Sequence, residues 1–242
     1  TSVEVTQSTA TIKSTTYLLS KAFSFISGLF LLSGGVLLLI GAAISVSNST
    51  YVASGVLWII SFSLFILSSL FGIASGVGLV NKISKSPYLV INIIGNILLL
   101  IGSILMIIGS ALWLSGTSNF ATFNSTTIIW VVGSSLIFLY FIVRTYASAV
   151  DGIYLYHSYL RNLTATSTLK YPKGYLFSLY MNGIVTTCYL VASTLLLLGS
   201  ICWIVYLRTT LSESFLIQSS TLWIVSGSLF AIGGVLQMVS RR

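Results

Sequence analysis

A chain of 242 residues that is 56% hydrophobic and 6% charged, with mean hydropathy +1.03, cannot cover itself with a water-compatible surface. Soluble domains carry roughly 25% charged residues, so the composition excludes that class and implies an integral membrane protein. The net charge of +8 is spread among short loops, which fits membrane-side anchoring and not a nucleic-acid footprint.

In chain order, residues 1–16 are rich in Ser and Thr and are expected to form a flexible or peripheral tail. A membrane domain then spans 17–242. Six windows are apolar over the ~20 residues that a helix needs to cross a bilayer. They lie near 20–46, 52–80, 88–114, 127–152, 175–206 and 219–239. Two prolines against 20 glycines, and runs well beyond the ~10-residue segments of a barrel, favour helices over strands. The predicted fold is all-α and polytopic: six transmembrane helices arranged as three tandem hairpins, about 17–80, 85–152 and 173–240.

The hairpins are recognised by two phrases. The first is Leu37-Leu38-Leu39-Ile40-Gly41-Ala42, Leu98-Leu99-Leu100-Ile101-Gly102-Ser103 and Leu195-Leu196-Leu197-Leu198-Gly199-Ser200. The second starts at Trp58, Trp130 and Trp223 and reaches a serine five residues on, at Ser63, Ser135 and Ser228. A repeated unit fixes architecture before any single motif does, and three units entering from one side imply a pseudo-threefold axis along the membrane normal. Gly41, Gly102 and Gly199 are aligned as small helix-packing residues. The three serines are expected to face helices, since an unpaired hydroxyl in lipid is costly.

Orientation follows from the basic residues. Lys13, Lys21, Lys82, Lys85, Arg161, Lys170, Lys173, Arg241 and Arg242 all fall on one side in chain order, whereas the opposite loops hold only Arg208. Both termini are therefore expected on the cytoplasmic-equivalent side. Trp58, Trp113, Trp130, Trp203 and Trp223 fall at the other helix ends, where they are expected to act as interfacial anchors.

Chemistry is sparse. Glu4, Asp151, Glu213 and His157 are the whole complement of acids and histidine, too few for bis-histidine haem ligation or a metal cluster. No catalytic set, cofactor or metal is expected. The one polar constellation is Arg144 with Asp151, seven residues apart on one helix face, among Tyr140, Tyr146, Tyr154 and His157. It would suit a lipid headgroup, an anion or a partner at the inner interface, or simply anchor the helix end or pair with a neighbouring helix. Asn48 and Asn124 head glycosylation sequons on the predicted outer side.

The duplicated phrase, an apolar helix with Gly102-Ser103 or Gly199-Ser200 followed by the Trp58, Trp130 and Trp223 motifs, resembles the YrhK-like family of small membrane hairpin domains. Gly41-Ala42 departs from its pattern. The resemblance supports a fold and implies no chemistry. The three-by-two helix count of mitochondrial carriers is not matched, because neither Pro87 nor Pro172 has an acidic residue two places on. The functional expectation is a non-catalytic membrane subunit packing against lipids and other integral membrane subunits. The alternative is a small-solute transporter or channel with its path along the threefold axis.

Overall fold

The computed structural model describes the backbone of residues 2–46, 51–82, 87–115, 120–165, 173–208 and 213–240. Side chains are described for 18–46, 52–77, 90–115, 124–150, 153, 177, 180–206 and 217–240. The described backbone is entirely helical: α1 Ser2–Val46, α2 Tyr51–Lys82, α3 Pro87–Ser115, α4 Phe120–Ala165, α5 Lys173–Arg208 and α6 Glu213–Ser240. Each contains a stretch long and apolar enough to cross a membrane, from Leu18–Val46 in α1 to Ile217–Ser240 in α6. Helical backbone satisfies its own hydrogen bonds, which a lipid environment demands. The chain is a multi-pass integral membrane protein.

Two boundaries differ from expectation. The Ser/Thr-rich segment expected as a separate tail is helical from Ser2 and continues into α1. Likewise α4 runs on to Ala165, past the expected end of the fourth span. Neither segment contains proline or glycine strong enough in number to break a helix already nucleated by its apolar part.

Each helix packs on its chain neighbours, and α6 returns to pack on α1, so the six helices close a ring. Closure depends on small residues. A Cβ on Gly35 of α1 would sit 2.7 Å from the Ala231 nitrogen and 2.8 Å from the Gly227 oxygen, and one on Gly234 would sit 2.8 Å from the Gly28 oxygen. Backbone therefore touches backbone along this seam, the close approach that lets membrane helices associate without a hydrophobic driving force. Ser45 and Ser220 add a hydroxyl pair at 3.1 Å. The α4–α5 seam has a different character, with the Asn182 amide donating to the Ser148 hydroxyl at 2.7 Å.

A closed ring poses a volume problem. With neighbouring axes ~9 Å apart, a regular hexagon puts its centre ~9 Å from each axis, leaving ~7 Å beyond the Cα radius. Small side chains would leave a pore there; large ones fill it.

Candidate functional site: the bundle axis

The interior is read most simply as stripes of every seventh residue, close to two helical turns. These are Ser24, Leu31, Leu38 and Ser45 on α1; Trp58, Phe65 and Gly72 on α2; Asn92, Leu99, Met106 and Trp113 on α3. They continue as Trp130, Ile137 and Arg144 on α4; Asn182, Tyr189, Leu196 and Trp203 on α5; Trp223, Phe230 and Gln237 on α6.

At one end the axis is closed by indoles. Trp58, Trp113, Trp130, Trp203 and Trp223 are between 0% and 5% exposed, so they do not form the outward belt expected of interfacial anchors. Trp130 lies 5.6 Å from Trp58, 5.6 Å from Trp113, 6.0 Å from Trp203 and 5.4 Å from Trp223, centroid to centroid. The volume at the centre of a six-helix ring requires the largest side chains, and that requirement overrides the preference of indole for the headgroup layer. The sequence held a signal: each motif tryptophan is seven residues from Phe65, Ile137 or Phe230, which are fully buried.

The motif tryptophans also explain three glycines. A Cβ on Gly41 would lie 2.8 Å from Trp58 Cδ1, and one on Gly109 would lie 2.6 Å from Trp130 Cδ1. Gly199 seats Trp223 in the same way. The partner of Gly41 and Gly199 in the second hairpin is thus Gly109, and the alignment through Gly102 is one heptad out of register. Gly102 instead approaches the Gly133 oxygen, at 2.8 Å from its would-be Cβ. Gly102 remains a packing residue, but of the next layer. Similar phrases in a leucine-rich helix allowed the slip; the contact removes it.

The three motif serines are half-buried, and each hydroxyl donates to its own helix four residues back: Ser63 to Ile59 O at 2.8 Å, Ser135 to Val131 O at 2.7 Å, Ser228 to Ile224 O at 2.9 Å. The bonds between helices come from other serines. Ser61 donates to Gly34 O, Ser226 to Ala192 O and Ser219 to Gly199 O, each at 2.7 Å. Glycine and alanine carbonyls are reachable because no bulky side chain stands before them.

The other end of the axis is polar. Arg144 NH2 donates to Gln237 Oε1 at 3.0 Å, and NH1 donates to the Tyr140 hydroxyl at 3.1 Å. Its guanidinium also stands 5.2 Å from the Tyr189 ring centre. The Tyr189 hydroxyl donates to the same Gln237 oxygen at 3.1 Å, and Gln237 Nε2 donates to Ser24 O at 2.9 Å. Tyr140 reaches Asn96 Oδ1 at 3.4 Å, while Asn96 Nδ2 donates to Asn92 O at 2.8 Å. One network therefore ties α1, α3, α4, α5 and α6, inside the apolar spans of those helices.

Arg144 thus contacts a neighbouring helix, as one of its expected alternatives had it, but its contacts point toward the axis. Tyr146, two residues on, is 63% exposed on the outer surface and does not share this site. The side chains of Asp151, Tyr154 and His157 lie outside the described residues. Gln237, Tyr189 and Asn182 were not singled out from sequence. A glutamine three residues before the end of α6 resembles an ordinary helix-end residue. Only the heptad from Trp223 through Phe230 could have turned it inward. Compared with protein-family models, curated proteins and solved structures, the chain matches none of them.

Proposed function

We propose that the protein is a non-catalytic integral membrane subunit that works through its outer surface, packing against lipids and partner membrane helices. The observation that carries this reading is the filled axis combined with an apolar exterior. Leu31, Leu38, Phe62, Phe65, Leu99 and Met106 are fully buried within the ring. Ile40, Val56, Ile60, Ile101, Val132 and Ile232, from five of the six helices, project outward at 40–50% exposure. In water such a surface would aggregate; in a bilayer it is a contact surface for lipid or helix. The termini sit on the cytoplasmic-equivalent side in this reading, and kinship with YrhK-like hairpins, triplicated in one chain, belongs to the same proposal.

A continuous solute path along the axis is disfavoured, because the five indoles would all have to move to open it. The test is purification of the full chain from its native membrane in mild detergent, followed by mass measurement and identification of co-migrating proteins. A defined complex with at least one other membrane protein is expected. A single species carrying only this chain would overturn the subunit reading.

A further inference from the structure

Five of the six seams of the ring are drawn together in one way: a glycine brings its neighbour so close that a Cβ there would collide. Gly34 meets Phe65 across α1–α2, Gly55 meets Leu114 across α2–α3, and Gly102 meets the Gly133 oxygen across α3–α4. Gly199 meets Trp223 across α5–α6, and Gly35 meets the Gly227 oxygen across α6–α1. Among the described residues, the α4–α5 seam has no such glycine. Gly133 faces α3, Gly199 faces α6, and a Cβ on Gly183 of α5 would have nothing within 4 Å. Close packing is a main source of attraction between membrane helices, so this seam is the least tightly drawn.

Its lining has a second peculiarity. Successive residues on a helix point ~100° apart. Ala192 and Gly199 face α6, so the buried Thr186, Ser193 and Ser200 turn toward the other neighbour, α4. Likewise Gly133 faces α3, so the buried Ser134, with Ser148 two heptads on, turns toward α5. Four of these five hydroxyls donate within their own helix: Ser134 to Trp130 O at 2.7 Å, Thr186 to Gly183 O at 3.0 Å, Ser193 to Leu190 O and Ser200 to Leu196 O at 2.9 Å. Parting α4 from α5 would strand none of the four, and a stranded polar group is what makes exposure to lipid costly. At the α1–α2 and α5–α6 seams the opposite holds, because Ser61 and Ser226 donate across to Gly34 O and Ala192 O.

The directed contacts that reach from α4 to α5 and α6 gather at one end. They are the Asn182–Ser148 bond at 2.7 Å, the Arg144–Gln237 bond at 3.0 Å and the Arg144 guanidinium 5.2 Å from the Tyr189 ring centre. Toward the tryptophans, rings meet rings: Phe141 lies 5.1 Å from Tyr189 and Trp130 lies 6.0 Å from Trp203. We propose that α4–α5 is the seam at which the ring opens sideways to the bilayer, latched at the Arg144 end by the Asn182–Ser148 bond and the Arg144 contacts. The seam belongs to this chain alone, so its opening needs no partner subunit.

The test uses the full chain in lipid nanodiscs, with Cys188 and Cys202 replaced by Ala and spin labels placed on lipid-facing positions. One labelled pair, Leu139→Cys with Val191→Cys, spans α4–α5; the other, Val36→Cys with Ile232→Cys, spans α6–α1. All four native side chains are exposed on the outer surface. Pulsed electron–electron resonance should give two distance populations for the first pair, one longer than the closed ring allows, and a single population for the second. Ser148→Ala should raise the ratio of long to short distances at α4–α5 about threefold, the factor carried by one bond between membrane helices. Asn182→Ala removes the same bond from the other side and should reproduce that shift, whereas Ser61→Ala should leave the ratio unchanged. A single population at both seams, equal lengthening at both, or no response to Ser148→Ala and Asn182→Ala would overturn the proposal.

Discussion

The two ends of the same interior are held by different forces. At the tryptophan end, five indoles fill the centre by bulk and by ring-to-ring contact at 4.9–6.0 Å, and Trp223 Nε1 donates to Leu196 O at 3.2 Å. At the other end, Arg144, Gln237, Tyr140, Tyr189 and Asn96 are held by directed bonds of 2.8–3.4 Å. The contrast sits within single helices, because Trp130 and Arg144, or Trp223 and Gln237, are 14 residues apart on one stripe. Filling by volume tolerates a change of shape better than a change of size. A hydrogen-bonded network tolerates neither, because removing one member strands the others.

The largest effect should come from emptying the aromatic end. Trp130→Ala removes the ring that touches four others, and a loss of about 3–5 kcal/mol is expected from large-to-small core changes. It is measured by unfolding in detergent, with Trp130→Phe recovering most of the loss. A neutral Trp130→Ala would return the tryptophans to the membrane interface and end the contrast.

Next in size is Gly35→Leu, which drives a side chain into the α6 backbone at the closure seam. Overpacking of this kind costs about 1–3 kcal/mol, and backbone neighbours cannot yield as side chains can. Val36, one residue on, is exposed on the outer face, so Val36→Leu is the matched control and should be neutral by the same melt. Equal behaviour of the pair would mean that the ring does not close through α1 and α6.

The polar end should show a comparable but chemically selective response. Gln237→Leu conserves approximate volume while withdrawing the acceptor shared by Arg144 and Tyr189 and the donor to Ser24 O. A loss of about 1–3 kcal/mol is expected for stranded buried polar groups. Gln237→Glu keeps the acceptor and places a carboxylate beside the guanidinium, so it should be distinctly less damaging. If leucine and glutamate were equivalent, the network would be filling space and nothing more.

The smallest effects separate two kinds of serine. Ser61→Ala and Ser226→Ala remove bonds between helices, worth about 0.6 kcal/mol and at most ~1.7 in membrane proteins. Ser63→Ala and Ser228→Ala remove bonds within one helix and should be neutral, since such back-bonding contributes little or slightly destabilises. A reversed ranking in paired detergent melts would show that the conspicuous motif serine, and not its neighbour, holds the hairpins together.

Six spans, their all-helical character and the pairing of glycine-bearing and tryptophan-bearing helices were legible in the sequence, because hydropathy and backbone self-satisfaction in lipid depend on local composition. Stripe membership was also present in the heptads, yet its direction was not. Trp58 on a helix end is equally good as an outward anchor or an inward plug, and the outcome turns on how many helices surround the axis. The register of Gly109, the inward turn of Arg144 and the role of Gln237 belong to the tertiary structure for the same reason. Each depends on which helix stands opposite, and a ring closed through Gly35 and Gly227 sets those neighbours where no single helix can. Sequence determined that the chain fills a membrane with helices; ring closure decided what fills the ring.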